Sequence, residues 1–329
     1  MVNNLLSHYK VSPKLEVKLT ASFPLSRSTG IQQAYNSQEP DWDLLFTHWG
    51  KEIIYINPNI PQLQWREICL ATHWNQFEEA VKKNDKLVLD GRKIDGFSIQ
   101  AQRKGALKDL SFLSTANYCF TLTDDDQHIL MGVRGGSDNV GQAVTMPLGV
   151  VSYPSEPDPN NLDPITASVY SEANEEGGIL PNEYSSLNCI GTLRQEQCST
   201  PVNNLIWIGR LKITGEEIIE RHKVAIELYN KFGNDSENIL KARMELRKRF
   251  LFNPRFPKDA WENSRLNLFS NDPEKMVADL SYLIDQGKEI KHGLYGALAL
   301  YILNQHGDKY YSQLMNIPQF KEKIHDQKL

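Results

Sequence analysis

The residues best suited to chemistry are three glutamates, Glu172, Glu175 and Glu176, in the stretch SEANEEGGI. They crowd the C-terminal end of a predicted helix, where each carboxylate opposes the helix dipole by a few tenths to about 1 kcal/mol. Like charges three or four residues apart repel by a few tenths more. A bound divalent cation would reverse both penalties, because Mg²⁺ takes carboxylate oxygens as ligands. The alternative, a surface helix that ends in acids by chance, is favoured from the triplet alone.

The helix that carries these acids is predicted over about 164 to 176. Asp163 can cap its start, Pro164 suits its first position and two glycines end it. At about 100° per residue, Glu176 falls inside the apolar stripe of the helix and Glu175 falls on its edge. One turn, about 6 Å by rise, separates Glu172 from Glu176. Their carboxylates can therefore converge on one or two ions.

Strand patterns surround this helix on both sides. The stretch YCFTLTDDDQHILMGVR predicts a strand, an Asp-rich turn and a second strand, and AVTMPLGVVSY predicts another strand before the helix. LNCIGTLRQEQ and NNLIWIGRLKI predict two strands after it. Residues 216–250 predict two helices separated by GND, and two more helices are predicted at about 272–286 and 290–305. The pattern is that of an α+β fold.

Residues 1–110 predict a smaller α+β unit of their own. LEVKLT and KEIIYI have strand patterns, and LQWREICLATHWNQFEEAVKK has the apolar spacing of an amphipathic helix. KLVLDGRKIDGFSIQ contains two Asp-Gly pairs between short apolar runs, which predicts turns. No motif in this unit indicates a function.

The composition excludes several classes of protein. With 329 residues, 40% hydrophobic and 23% charged, the chain predicts a soluble globular protein of two domains. A net charge of -5 argues against a protein that coats nucleic acid. The four cysteines and eight histidines lack the spacing of a zinc site. The N-terminus lacks a signal-peptide core and the apolar run GLYGALALYIL is too short for a membrane span, so a cytoplasmic protein without membrane partners is predicted.

The stretch SEANEEGGI resembles the second half of the Nudix box, the strand-loop-helix-loop signature of Nudix hydrolases. Glu172 matches the first glutamate of this half, Glu175 and Glu176 match the glutamate pair, and Gly178 matches its glycine. Gly149, in MPLGVVSY, matches the glycine that opens the box. The resemblance covers about residues 112–306.

Two features of the chain depart from the family pattern. Ser171 stands where the family usually has an arginine that orients the neighbouring acids. The loop between Gly149 and the helix is several residues longer than in the family, and Glu156 is the nearest match for the first box glutamate. The three helical acids are all present.

The resemblance implies a fold and a domain organisation. The fold is an α/β/α sandwich with a mixed sheet, preceded by the small N-terminal α+β domain. We predict an N-terminal domain at 1–110, a Nudix domain at 111–310 with a helical insertion at about 216–256, and a C-terminal tail at 311–329.

The resemblance also implies hydrolysis of a nucleoside diphosphate linked to another moiety. Mg²⁺ or Mn²⁺ would be held by Glu172, Glu175 and Glu176, which would also be catalytic residues. Glu262 is a candidate general base or extra ligand, with a surface loop acid as the equally weighted alternative. Arg134 could contact phosphate, although a lone arginine is more often a surface residue.

Further predictions concern the substrate and the partners. Gly149 and Tyr153 are predicted substrate-binding residues, and Tyr153 could stack on a base. Trp207 could also stack, although core packing is the favoured role. The main alternative to an enzyme is a binding module that senses a nucleotide or protein without turnover. A third possibility is RNA-end processing, drawn from the basic stretch at 241–249, although a nucleic-acid partner is not favoured. A homodimer is possible.

Overall fold

The computed structural model describes residues 6–21, 68–73, 86–95, 99, 112–135, 141–153, 158, 160–195, 202–233, 253–285 and 292–325. The strands are β1 (Leu6–His8), β2 (Lys14–Ala21), β3 (Ile68–His73), β4 (Lys86–Asp95), β5 (Phe112–Leu122), β6 (His128–Arg134), β7 (Ala143–Thr145), β8 (Leu148–Val150), β9 (Tyr184–Gln195), β10 (Val202–Leu211) and β11 (Asn263–Ser270). The helices are α1 (Pro164–Gly177), α2 (Gly215–Gly233), α3 (Pro273–Asp285), α4 (His292–His306), α5 (Asp308–Met315) and α6 (Pro318–His325).

A mixed sheet is built around the central strand β5. Its main strand order is β1-β9-β10-β5-β3-β4-β2, while β6 and β8 also pair with β5 and β11 pairs with β6. β5 runs parallel to β10 and antiparallel to β3, β6 and β8. Every residue of β5 after the first is buried, as expected of a strand covered on both faces. The predicted α+β class with a mixed sheet is confirmed.

Helices cover both faces of this sheet. Phe120 of β5 packs against Tyr301 of α4, with ring centroids 4.5 Å apart. The preceding residue, Cys119, belongs to the apolar cluster that contains Ile165 and Val169 of α1. Because alternate strand residues point to opposite faces, α1 and α4 lie on opposite sides of the sheet. This is the three-layer arrangement that the family resemblance implied.

Two local predictions in the N-terminal part were wrong. The segment LQWREICLATHWNQFEEAVKK was predicted as a helix, but Ile68–His73 within it form β3, between β4 and β5. Cys69 to Thr72 are all buried, and pairing on both edges outweighs helical spacing in so short an apolar run. The first Asp-Gly turn is also absent, because β4 continues through Gly91. A Cβ there would lie 2.7 Å from Leu70 and 2.9 Å from Val17, so this glycine admits neighbouring side chains.

The remaining local predictions have mixed outcomes. LEVKLT lies in β2, as predicted, whereas KEIIYI lies outside the described residues. The first helix of the predicted insertion is α2, and its second helix also lies outside them. α3 and α4 match the two predicted late helices. Within the described part of the chain, no helix is long and apolar enough to cross a membrane.

The predicted domain boundaries stay predictions, but two observations bear on them. β3 and β5 pair directly, so strands from both sides of the predicted boundary at 110 share one sheet. The predicted tail contains most of α5 and all of α6, where Leu314 and Phe320 are fully buried. Phe320 contacts Tyr295 of α4 edge to face, with centroids 5.2 Å apart. The C-terminal segment therefore contributes to the core on the α4 side of the sheet.

Candidate functional site

The helix with the acidic triplet is capped as its sequence predicts. The Asp163 side chain accepts hydrogen bonds from the backbone N–H groups of Ile165 and Thr166. At the other end Gly178 adopts φ 66°, a left-handed conformation that favours glycine. A Cβ at this position would also overlap the carbonyl oxygen of Arg255. These contacts fix the end of α1 next to the loop that precedes β11.

Glu176 is buried under α1, with 1% of its surface exposed. Its Oε2 accepts a hydrogen bond of 3.3 Å from the backbone N–H of Leu148 in β8. Its Oε1 has no hydrogen-bond partner among the described residues. Nη1 of Arg134 lies 3.7 Å from Oε1. The carboxyl group is therefore buried with only part of its hydrogen-bonding capacity used.

This environment raises the pKa of Glu176 to about 8. Burial is the largest cause, and the nearby carboxylate of Glu262 raises the pKa further. Arg134 and the N–H of Leu148 act in the opposite direction without reversing the shift. A further positive charge beside Glu176 would therefore favour its ionised form.

Glu172 meets the same strand one residue further on. A Cβ at Gly149 would lie 2.5 Å from its Oε2 and 2.6 Å from its Oε1, so the carboxyl group rests against the Gly149 backbone. Leu148, the preceding residue, binds Glu176. Two of the three predicted acids thus converge on adjacent residues of β8. A side chain at position 149 would therefore displace the Glu172 carboxyl group.

Glu175 is held by the residue that departs from the family pattern. The hydroxyl of Ser171 donates a hydrogen bond of 3.1 Å to its Oε1. The Glu175 carbonyl oxygen also accepts a 2.7 Å bond from the backbone N–H of Asp259. Ser171 therefore still contacts a box acid, through one hydroxyl in place of a guanidinium group.

Arg134 and Glu262 are brought together although 128 residues separate them. Nη1 of Arg134, at the end of β6, donates a 2.9 Å hydrogen bond to Oε2 of Glu262. Glu262 ends the short 3₁₀ turn that leads into β11, and its carbonyl oxygen accepts a bond from the N–H of Gly135. The predicted phosphate-contacting arginine and the predicted base thus form an ion pair beside Glu176.

The two aromatic candidates lie further along the sheet. Trp207 is 3% exposed and its Nε1 donates a 2.9 Å bond to Oδ1 of Asn117, so the favoured role in core packing is confirmed. Tyr153 is partly buried beside the α1-facing core, and Nζ of Lys93 lies 4.4 Å from its ring centroid. One face of the Tyr153 ring is therefore already covered by a cation. Glu156 lies outside the described residues.

The donor chemistry at this site suits a hard divalent cation. Within the part of the chain that the structure describes, no group of three or more His, Cys, Asp or Glu side chains is assembled to hold a metal ion. However, Glu172 and Glu176 converge on β8, and the buried Oε1 of Glu176 has no hydrogen-bond partner among the described residues. Carboxylate oxygens are the ligands that Mg²⁺ and Mn²⁺ prefer.

His222, which was not predicted from the sequence, contacts the turn that carries Glu262. It is buried on α2, and its Nε2 lies 3.0 Å from the carbonyl oxygen of Ala260, in the turn that carries Glu262. Burial lowers the pKa of His222, which favours the neutral ring. The available signal was helical spacing, because Ile218, His222 and Ala225 fall on one buried stripe of α2.

Comparison with known proteins gives matches at the level of structure only. No protein-family model matches the chain, and no curated protein matches it in sequence. A C. elegans Ap4A hydrolase in a binary complex aligns at 17% identity over 30% of this chain and 66% of that one, with a TM-score of 0.23. The NUDIX domain of Shewanella oneidensis NrtR, complexed with ADP ribose, aligns at 12% identity over 33% of this chain and 66% of that one, with a TM-score of 0.23.

A MutT/nudix family protein from Enterococcus faecalis aligns at 12% identity over 66% of this chain and 82% of that one, with a TM-score of 0.27. The chain spans just under two thirds of the length of each of the first two structures. These solved structures are Nudix proteins to which this chain is similar.

Proposed function

We propose that this chain is a Mg²⁺- or Mn²⁺-dependent hydrolase that cleaves the diphosphate linkage of a nucleoside diphosphate derivative. The observation that carries the proposal is the buried carboxyl group of Glu176, whose Oε1 has no hydrogen-bond partner among the described residues and whose pKa is raised to about 8. A buried carboxyl group with an unsatisfied oxygen lowers the stability of the fold unless a cation binds to that oxygen. Strongly shifted carboxyl groups of this kind are typical of functional sites.

The three acids of α1 would hold the cation. Glu176 and Glu172 approach β8 from adjacent turns of α1, and Glu175 is oriented by Ser171. A bound Mg²⁺ or Mn²⁺ would neutralise diphosphate oxygens and lower the pKa of a water molecule at the site. The three carboxylates would therefore position the diphosphate through the cation that they hold.

The pair of Arg134 and Glu262 supplies the remaining chemistry of the proposed site. Glu262 is partly exposed, so its carboxylate can accept a proton from an attacking water. Arg134 contributes a positive charge next to the acids, which favours a phosphate oxygen there. The 2.9 Å ion pair between them must rearrange if Arg134 is to contact the substrate.

Replacement of Glu176 by Gln tests the proposed hydrolase. We expect phosphate-releasing activity to fall by at least about a hundredfold, because the amide cannot supply an anionic ligand. Glu274→Gln, an exposed glutamate in the first turn of α3, is the matched control and should retain full activity. The assay is a screen of nucleoside diphosphate sugars, dinucleotides, coenzymes and capped RNA with Mg²⁺ or Mn²⁺. Equal activity of Glu176→Gln and wild type on a cleaved substrate would disprove this role.

A second candidate is a nucleotide-binding module without turnover. It is favoured by the position of Arg134, which already pairs with Glu262 and lies 3.7 Å from Glu176, so part of the negative charge is balanced without a cation. Nucleotide binding that survives both EDTA and Glu176→Gln, with no product formed, would support this alternative. The basic stretch at 241–249, which suggested RNA-end processing, lies outside the described residues.

A further inference from the structure

Asn263, the first residue of β11, is a buried polar side chain that the proposed mechanism leaves unused. None of its surface is exposed, and neither its Oδ1 nor its Nδ2 has a hydrogen-bond partner among the described residues. A buried amide without partners opposes folding, whereas an apolar side chain of similar size would not. Packing alone therefore does not account for an amide at this position.

The surroundings of Asn263 place its amide in a defined position. A Cβ at Gly132, on the neighbouring strand β6, would lie 2.6 Å from Oδ1 of Asn263. The missing side chain at position 132 therefore provides the space that the amide occupies. The backbone of Asn263 is itself hydrogen-bonded to the ring of His222, which also binds Ala260.

Asn263 faces the same buried layer as the acids of α1. It is the cross-strand partner of Arg134, whose Nη1 lies 3.7 Å from Oε1 of Glu176. Gly132 and Arg134 are alternate residues of β6, so both face the same side of the sheet. The amide over Gly132 and the Glu176 carboxyl beside Arg134 therefore lie on the α1 side of the sheet. Both contain oxygen atoms without hydrogen-bond partners among the described residues.

We propose that Oδ1 of Asn263 is a further oxygen ligand of the cation that Glu176 binds. This inference rests on the proposed function, because it requires that a cation binds there. Amide oxygens are ordinary ligands for hard divalent cations. A neutral ligand also suits a site that already contains Glu172, Glu175 and Glu176, because it adds a donor without further charge repulsion.

The test is Mn²⁺ binding to the full chain, measured by the electron paramagnetic resonance signal of free Mn²⁺ and by calorimetry, without substrate. Asn263→Leu removes both polar atoms at similar volume and should weaken Mn²⁺ binding by at least about tenfold. Asn263→Asp supplies an anionic oxygen in the same place and should tighten Mn²⁺ binding. Asn267→Leu, on the same strand, is the matched control and should bind Mn²⁺ like the wild type.

The outcomes separate this inference from the proposed function. If the wild type binds Mn²⁺ and both Asn263 variants bind it with unchanged affinity, the role of Asn263 is wrong while the proposed hydrolase stands. If the wild type binds neither Mn²⁺ nor Mg²⁺, the metal-dependent hydrolase and this inference both fall. Should Asn263→Leu not fold, as judged by circular dichroism, the nearly isosteric Asn263→Asp decides the question alone. Unchanged Mn²⁺ affinity in that variant would overturn the inference.

Discussion

Two buried glutamates, seven residues apart, have opposite environments. Glu183, in the 3₁₀ turn after α1, is 5% exposed, and its two oxygens accept 2.9 Å bonds from the guanidinium group of Arg221. The N–H of Leu180 donates a further hydrogen bond of 2.9 Å, and the guanidinium group of Arg255 forms an ion pair at 3.1 Å. Glu176, almost equally buried, has one weak backbone bond and an arginine 3.7 Å away.

The difference appears directly in the pKa of each group. Hydrogen bonds and positive charge from Arg221 hold the pKa of Glu183 below its usual value, although burial acts in the opposite direction. The pKa of Glu176 rises to about 8, because burial and Glu262 outweigh Arg134. Both oxygens of the Glu183 carboxylate therefore accept hydrogen bonds, whereas only one oxygen of Glu176 has a hydrogen-bond partner among the described residues. We infer that Glu183 serves stability, whereas Glu176 is kept for a ligand.

Replacement of each of these two glutamates should affect the stability of the protein very differently. Glu183→Gln should lower the free energy of unfolding by about 3 kcal/mol, because Arg221 loses a buried bidentate partner. This is the low end of the range for buried pairs, since Arg221 keeps its 2.5 Å bond to Glu217. Glu176→Gln should change the same quantity by less than about 1 kcal/mol, because at pH 7 the amide resembles the protonated carboxyl group.

Urea unfolding at pH 7 in EDTA measures both variants under the same conditions. The activity assay should give the reverse order, with Glu176→Gln inactive and Glu183→Gln active at temperatures where it is folded. If both substitutions destabilise the protein equally, the distinction between a structural and a functional carboxyl group is wrong.

The next prediction concerns the position of the Glu172 carboxyl group, which depends on Gly149. Gly149→Ala introduces a methyl group into the space of the Glu172 carboxyl group. The long side chain can move aside, so stability should fall by less than about 1 kcal/mol, while the rate should fall by up to about a hundredfold because the carboxyl is displaced. Kinetics of Gly149→Ala, Glu172→Ala and the double variant measure this. If the two single effects simply add, Gly149 does not act through Glu172.

Local signals in the sequence were sufficient for the acidic helix. Asp163 and Gly178 mark its ends, and the helical angle placed Glu176 within the apolar stripe, where the structure buries it. The ion pair of Arg134 and Glu262 could not be predicted, because it depends on the register between β6 and β11. That register brings together residues 128 positions apart and is decided by packing of the whole sheet.

The sequence signals failed where tertiary contacts override local pattern. The stretch around Cys69 has helical spacing, yet strands on both sides convert it into β3. Gly91 follows Asp90 as in a turn, but it serves close packing against Leu70. Asn263 was overlooked because a single asparagine carries no sequence signal for burial. In each case the deciding partner is distant in sequence.

The smallest effect is expected at Ser171, the departure from the family pattern. Its hydroxyl contacts Glu175 at an exposed position, and an exposed neutral donor stabilises a carboxylate by at most about 1 kcal/mol. Ser171→Ala should therefore lower the hydrolysis rate by no more than about fivefold. Ser171→Arg should match or exceed the wild type, because a guanidinium group can donate two bonds to one carboxylate.

Steady-state kinetics of Ser171→Ala and Ser171→Arg against Glu176→Gln measure this order. A loss in Ser171→Ala as large as that in Glu176→Gln would mean that orientation of Glu175, and not the buried carboxyl of Glu176, limits the reaction. The two effects should differ in size because Glu175 and Glu176 differ in their exposure to solvent. Water can replace a missing hydroxyl next to the accessible Glu175, whereas Glu176 is 1% exposed, so water does not take the place of its carboxylate.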